Sequence, residues 1–124
     1  MKIPFLIPFC FISLLLLQCT TDNNTIEFFT DQESSQVDFA LSEIETALAE
    51  KDIRIHATEL QNARLVLSVE SNLPGINSEG YQISRNAQQI MVKAVDEAGL
   101  MYGGLELAEQ VRLYGWDGIQ EVSE

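Results

Sequence analysis

Paired acids are the side chains in this sequence that most resemble catalytic groups. Asp96 is followed directly by Glu97, and Glu106 lies three residues before Glu109. Two carboxylates can serve as general acid and base on either side of a scissile glycosidic bond. The first pair, however, precedes a predicted helix, whose positive end acids stabilise, and the second pair falls on the polar side of that helix. We therefore interpret both pairs as structural and expect no catalytic residue in this chain.

Other side chains give no stronger signal for a metal, a cofactor or a nucleophile. His56 is the only histidine, and it falls on the polar side of a predicted strand, where we interpret it as solvated or structural. A zinc or nucleophile site would need partners that the sequence does not supply. The glycines at 99, 103 and 104 lack the spacing and the lysine of a phosphate-binding loop. We expect neither a cofactor nor a metal.

Composition limits the chain to one small domain of acidic character. It has 124 residues, 46% of them hydrophobic, and a formal net charge of −12. A catalytic barrel of about 250 residues cannot fit in this length. The seven Lys and Arg residues are scattered, whereas binding to nucleic acid requires clustered positive charge. Nucleic acid is therefore excluded as a partner, and attachment to an anionic membrane surface through a basic patch is disfavoured.

The first residues have the layout of a secretory signal peptide. A basic start is followed by a hydrophobic run over residues 3–17, which is shorter than the ~20 residues of a spanning helix. The run ends in Leu16–Cys19, which resembles a bacterial lipobox, although the two residues before the cysteine are larger than that motif prefers. We expect residues 1–18 to be a lipoprotein signal peptide and Cys19 to be the lipidation site, giving an exported, membrane-anchored lipoprotein in the periplasm or at the cell surface. A plain signal without lipidation is the alternative.

Hydrophobic periodicity predicts the elements of the domain, which we place at residues 26–115 after a polar tether at residues 19–25. The predicted elements are a strand at Ile26–Phe29, a helix from Ser35 to about Lys51 that opens on a capping box of Ser35 and Asp38, strands at Ile53–Ala57 and Ala63–Val69, an antiparallel hairpin of Tyr81–Ser84 and Gln89–Val95, and a helix from about Ala98 to Gly115. This order favours an α+β two-layer sandwich with a mixed, mostly antiparallel sheet and two helices packed on one face. Each helical glycine costs about 1 kcal/mol relative to alanine, so Gly103 and Gly104 predict close packing of the last helix on the sheet.

Four segments carry a resemblance to a known family. They are Glu79–Ile83, Gln89–Ala94, Gly99–Gly103 and Leu105–Gln110. Together they resemble the N-terminal domain of bacterial beta-N-acetylhexosaminidases, and a similar domain precedes the barrel of alpha-glucuronidases, so the resemblance leaves both families open. It implies a non-catalytic domain that packs against a catalytic TIM barrel. The acid and base belong to that barrel, so no catalytic residue can be carried over to this sequence.

Two functional hypotheses follow. The first is a scaffold domain of an exported glycoside hydrolase in carbohydrate metabolism, in a truncated or split chain whose barrel is supplied in cis or in trans and whose residues 116–124 begin the linker to it. The residues expected to pack between domains are Met101, Gly103, Gly104, Leu105, Tyr114 and Trp116. The alternative is a stand-alone surface lipoprotein that binds a glycan, with Tyr114 and Trp116 stacking on a sugar ring.

Overall fold

The computed structural model describes residues 24–124. The elements in chain order are β1 (Thr25–Thr30), α1 (Ser35–Ala49), β2 (Arg54–Ala57), a first 3-10 turn (Leu60–Asn62), β3 (Leu65–Val69), β4 (Tyr81–Arg85), β5 (Ile90–Ala94), α2 (Glu97–Tyr114), a second 3-10 turn (Trp116–Gly118) and β6 (Val122–Ser123). Neither helix in this range is long and apolar enough to cross a membrane. The predicted signal peptide, Cys19 and most of the tether lie outside the described residues.

The six strands form one mixed sheet in the order β2-β1-β3-β5-β4-β6. β1 runs parallel to β2 and to β3, and β3 runs parallel to β5, whereas β4 is antiparallel to both β5 and β6. The predicted α+β sandwich with two helices packed on a mixed sheet is confirmed. The expectation that most strand pairs would be antiparallel is wrong, because three of the five pairs are parallel.

Two connections explain the parallel pairs. α1 lies between β1 and β2 in the chain and returns it over one face, so β2 enters the sheet in the same direction as β1. The predicted β4–β5 hairpin is confirmed, but it joins the sheet through its second strand. β4 does not pair with β3, because the residues between them lead the chain to the far side of the hairpin. β5 then returns next to β3 and runs parallel to it.

The hydrophobic core lies between the sheet and the helices. Strand register places Leu67 beside Val92 and Val92 beside Ile83, so these three side chains form one row on one face of the sheet. Each of them is at most 1% exposed, and a fully buried aliphatic side chain contributes about 1.5–3 kcal/mol relative to an exposed one. The helices add the buried side chains of Val37, Ile44, Leu48, Leu100, Leu107 and Val111.

Local side-chain chemistry sets the helix ends. Ser34, not the predicted Ser35, caps α1, because its extended backbone directs its hydroxyl oxygen to accept the N–H of Val37 at 3.3 Å. α2 begins at Glu97, after the cap residue Asp96 and one residue before the predicted start near Ala98, and it ends at Gly115, as predicted. Gly115 has a φ of 75°, a left-handed conformation that glycine adopts without a steric penalty.

The segment at residues 116–124, expected to begin a linker, packs on the domain instead. Trp116 and Ile119 are 8% and 3% exposed and belong to the core. Val122 pairs with Ile83 of β4, and the backbone of Glu124 exchanges two hydrogen bonds with Tyr81, of 2.8 and 3.0 Å. These contacts extend the folded unit beyond the boundary predicted at Gly115.

Three glycines of α2 mark its closest approaches to neighbouring elements. A methyl group on Gly99 would lie 2.4 Å from the carbonyl oxygen of Gly80, one on Gly103 would lie 2.6 Å from Val92 of β5, and one on Gly104 would lie 2.7 Å from Ala40 of α1. The predicted packing of Gly103 on the sheet is thus confirmed, whereas Gly104 packs on α1. Side chains at these positions would push the helix away from its neighbours.

We expect Gly99→Ala to lower the free energy of unfolding by about 1–3 kcal/mol, although alanine favours helix more than glycine does. The clash is with backbone, which cannot rotate away as a flexible side chain can. Urea unfolding of the full chain, followed by the fluorescence of its single tryptophan, measures the change. Glu109→Ala, on the exposed side of the same helix, should stay within about 0.5 kcal/mol of the original protein. Equal or higher stability of Gly99→Ala would contradict the role given to this contact.

Candidate functional site

Asp96 is a structural acid that joins α2 to the loop before β4. Its Oδ1 accepts the N–H of Gly99 at 2.7 Å, and its Oδ2 accepts the N–H of Glu79 at 2.9 Å. The backbone hydrogen bonds from Glu79 and Gly99 favour the charged carboxylate and hold the pKa of Asp96 below its usual range. Both carboxylate oxygens of Asp96 therefore accept backbone N–H groups, as a helix-capping acid does.

The second predicted acid pair lines an open hollow beside α2. The hollow has a volume of about 690 Å³, and its charged lining consists of Glu79, Glu106, Glu109 and Glu124. Glu106 accepts the side-chain N–H of Gln110 at 3.1 Å. Burial, followed by the negative charges of Glu124 and Glu106, raises the pKa of the Tyr81 phenol, which also lines the hollow. This acidic hollow disfavours anionic ligands.

His56 lies on β2, at one edge of the sheet, and is exposed. Its register partner in β1 is Glu27. Among residues 24–124, no group of three or more His, Cys, Asp and Glu side chains is placed to hold a metal ion. His56 therefore has a single acidic neighbour by strand register and no surrounding set of ligands in the described part of the chain.

The solvent side of the helices carries exposed apolar side chains. Phe39 of α1 is 50% exposed, and Tyr102 and Leu113 of α2 are 44% and 62% exposed. Met101 and Leu105 of α2 are partly exposed beside them in helical spacing. We call these five residues the outer helix surface. Exposed apolar patches of this kind often mark a surface that another protein unit covers.

The structure divides the residues predicted to pack between domains into two groups. Met101, Leu105 and Tyr114 reach the surface, Tyr114 with 61% of its area exposed. The buried members are Gly103, Gly104 and Trp116. Trp116, at 8% exposure, does not present its ring face as the open stacking platform of the glycan-binding hypothesis.

Sequence reasoning did not find three apolar members of the outer helix surface. Tyr102 and Leu113 lie on the side of α2 opposite the buried Leu107 and Val111. That position was readable from the helical period, since at about 100° per residue Tyr102 falls about 140° from Leu107 and about 180° from Val111. Phe39 lies among polar residues of α1 and stands out only once its 50% exposure is known.

A second cavity, of about 570 Å³, lies at the end of the sheet where the β4–β5 turn meets Trp116. Arg64 and Arg85 are its basic lining residues. The guanidinium carbon of Arg64 lies 5.8 Å from the ring centre of Trp116, within the range of a cation–π contact. One terminal nitrogen of Arg85, Nη1, donates to the carbonyl oxygens of Trp116, Asp117 and Ile119 at 3.1–3.3 Å. We call this feature the arginine cavity, and the sequence reasoning did not predict it.

Comparisons with known proteins give one family match and two solved structures with a similar fold. The family model described as glycosyl hydrolase family 20, domain 2 matches residues 19–118. A GH138 enzyme targeting pectin rhamnogalacturonan II superposes with a TM-score of 0.69 and 25% identity over 81% of this chain and 15% of its own. The beta-N-acetylhexosaminidase from Bacteroides fragilis NCTC 9343 superposes with a TM-score of 0.56 and 19% identity over 82% of this chain and 20% of its own. No curated protein sequence matches this chain.

We expect Asp96→Ala to lower the free energy of unfolding by about 1 kcal/mol at pH 7, because two backbone N–H groups lose their acceptor. A carboxylate whose pKa is lowered by folding stabilises the protein above its unfolded-state pKa, and this contribution is lost as the pH falls through the folded-state pKa. The difference between the original protein and Asp96→Ala should therefore narrow below about pH 4.

Urea unfolding of the original protein and of Asp96→Ala, at pH 7 and at pH 3, measures the difference in the free energy of unfolding at each pH. Asp96→Asn is the matched control, since asparagine caps a helix about as well as aspartate but does not titrate. The difference between Asp96→Asn and Asp96→Ala should stay constant between the two pH values. A difference between the original protein and Asp96→Ala that does not change with pH would show that the charge of Asp96 contributes nothing.

Proposed function

The chain belongs to the glycosyl hydrolase family 20, domain 2 family, and we propose that it is the non-catalytic accessory domain of an exported glycoside hydrolase of the beta-N-acetylhexosaminidase type. The observation that carries this proposal is the family match, which extends over residues 19–118. The fold similarity to parts of two larger enzymes supports it. The chain spans only 15% and 20% of their lengths, so the activity of a whole parent protein is part of the proposal.

The contacts of the acids support a non-catalytic role. Asp96 uses both carboxylate oxygens to bind backbone N–H groups. Glu106 and Glu109 lie on the same side of one helix, in a hollow whose charged lining is wholly acidic. A glycosidase needs its two acids on opposite sides of the scissile bond, which Glu106 and Glu109, on one side of one helix, do not provide.

The outer helix surface is the face that we assign to the catalytic barrel. Its large side chains, Phe39, Tyr102 and Leu113, are each at least 44% exposed, and covering them would remove apolar area from water. Glu106 and Glu109 lie between Tyr102 and Leu113 on the same side of α2, so a barrel that covers this surface would have to supply polar partners for the two carboxylates. The barrel can belong to the same polypeptide or to a separate chain, and the intact mass of the native product distinguishes the two.

Export and lipid anchoring complete the proposal. The hydrophobic run at residues 3–17 and the lipobox-like segment Leu16–Cys19 support processing before Cys19 and acylation of its thiol. β1 begins at Thr25, so a short tether would hold the domain close to the membrane surface. The formal charge of −12 gives the domain no attraction of its own to anionic lipid.

We expect the purified full chain to release no para-nitrophenol from para-nitrophenyl N-acetyl-β-D-glucosaminide, because in this proposal the catalytic acid and base belong to the barrel and not to the accessory domain. A complete beta-N-acetylhexosaminidase assayed at the same molar concentration is the positive control. Turnover that copurifies with the chain and disappears in Glu106→Gln would refute the accessory role. The variant separates activity of this chain from activity of a contaminating enzyme.

We expect Cys19→Ser to abolish incorporation of labelled palmitate when the full chain is produced in a bacterium that lipidates exported proteins. Membrane association should be lost with the label, because the acyl chains supply the attachment. Cys10→Ser is the matched control and should leave both the label and the membrane association unchanged, since Cys10 lies within the hydrophobic run. Full labelling of Cys19→Ser would rule out Cys19 as the acylated residue.

A further inference from the structure

The arginine cavity concentrates positive charge in an acidic chain. The chain holds seven Lys and Arg residues against 19 Asp and Glu, yet two arginines line this one cavity, with Asp117 as its acidic lining residue. An excess of positive charge at one concave site attracts an anionic group, even where the rest of the surface repels it.

Neither arginine of the cavity is neutralised within the described residues. No carboxylate oxygen of residues 24–124 lies within 4.0 Å of a side-chain nitrogen of Arg64 or Arg85. By contrast, Lys93 pairs with Glu70 at 3.1 Å. Arg112 pairs with Glu43 of α1 at 3.3 Å and with Glu50, the residue that caps the end of α1, at 3.6 Å. The Glu121 carboxylate accepts the backbone N–H of Arg85 at 3.3 Å and does not pair with its guanidinium group.

Hydrogen bonds position the guanidinium group of Arg85, and a cation–π contact positions that of Arg64, whose side chain is otherwise exposed. Arg85 is fixed by the three carbonyl oxygens that Nη1 binds in residues 116–119. Arg64 lies over the ring of Trp116, which is itself 8% exposed and part of the core. A cation held in position before a ligand arrives loses less conformational entropy on binding than a free surface side chain does.

Neutral polar side chains complete the lining. Asn62 and Gln88 supply amide groups, which can both donate and accept hydrogen bonds. Asn86 also lines the cavity, but its Oδ1 already accepts two backbone N–H groups. Gln61 lines it as well, and its side-chain nitrogen already donates to Glu59. The volume of about 570 Å³ lies within the range of small-molecule sites in proteins. Guanidinium groups bind carboxylates through paired hydrogen bonds, and amides suit the hydroxyl groups of a sugar.

We propose that the arginine cavity binds an acidic sugar residue of a glycan, with Arg64 pairing with its carboxylate. Arg85 adds a second fixed positive charge, and the amide side chains bind the ring hydroxyl groups. The choice of a sugar as the carrier of the carboxylate rests on the proposed function, whereas the anionic character of the ligand rests on the two arginines.

The test uses the full chain in detergent, labelled with nitrogen-15, and titrates it with sodium D-glucuronate. D-Glucose is the matched control, because it differs from glucuronate only by a hydroxymethyl group in place of the carboxylate. We expect saturable chemical-shift changes at the indole N–H of Trp116 and at the backbone amides of residues 86–90 with glucuronate, and none with glucose. Sodium acetate and inorganic phosphate should bind at least about tenfold more weakly, since they lack the hydroxyl groups.

Arg64→Gln should weaken glucuronate binding about tenfold, the effect of losing one charge-assisted pair. Arg54→Gln, on the exposed edge strand β2, removes the same charge elsewhere and should change binding less than about twofold. Arg64→Lys keeps the charge without the planar fork and should bind with intermediate strength.

Three results would overturn the inference. The first is a titration with glucuronate that causes no saturable chemical-shift change. The second is a glucuronate affinity that falls equally in Arg64→Gln and in Arg54→Gln. The third is an affinity for acetate or phosphate that equals the affinity for glucuronate. Failure of this inference can be distinguished from failure of the accessory role, because a chain that binds glucuronate and also cleaves the aryl-glycoside would retain this site while refuting that role.

Discussion

The close approach of α2 to the sheet is the constraint on which the rest of the structure depends. Gly99 and Gly103 face β4, β5 and the loop before them so tightly that a single added methyl group would overlap neighbouring atoms. Gly104 sets the same limit against α1. These three positions fix the rotation of α2 about its axis, so that Leu107 enters the core and Tyr102 turns to solvent. The outer helix surface is thus a consequence of where the glycines lie.

Local pattern was enough to predict most of the elements, and non-local contact decided the rest. The alternation around Leu67 and Val92 predicted strands with one buried face, and the acids Asp96 and Glu97 predicted a nearby helix start, because both signals lie within a few neighbouring residues. The parallel pairing of β3 with β5 depends on which strand of a hairpin meets the sheet, and periodicity carries no information about that choice. β6 is two residues long, too short to show a period.

The candidate sites divide in the same way. The helical period favours an exposed position for Tyr102, so that part of the outer helix surface could be predicted. The arginine cavity instead brings together Arg64, directly before β3, Arg85 of β4 and Trp116. These residues are distant in sequence and meet only because strand order brings their ends together. The outer helix surface and the lining of the arginine cavity share no residue. A barrel covering the helices and a ligand at the end of the sheet could therefore be bound together.

The position of β1 has a mechanical consequence. β1 lies between β2 and β3 and is parallel to both, and its first residue is Thr25. Tension applied from the N-terminal side acts along this strand, so it must shear two ladders of hydrogen bonds at once instead of opening one ladder bond by bond. If the chain is anchored at Cys19, force from the anchor would reach the interior of the sheet directly. The domain would then resist extension through the two strand pairs on either side of β1.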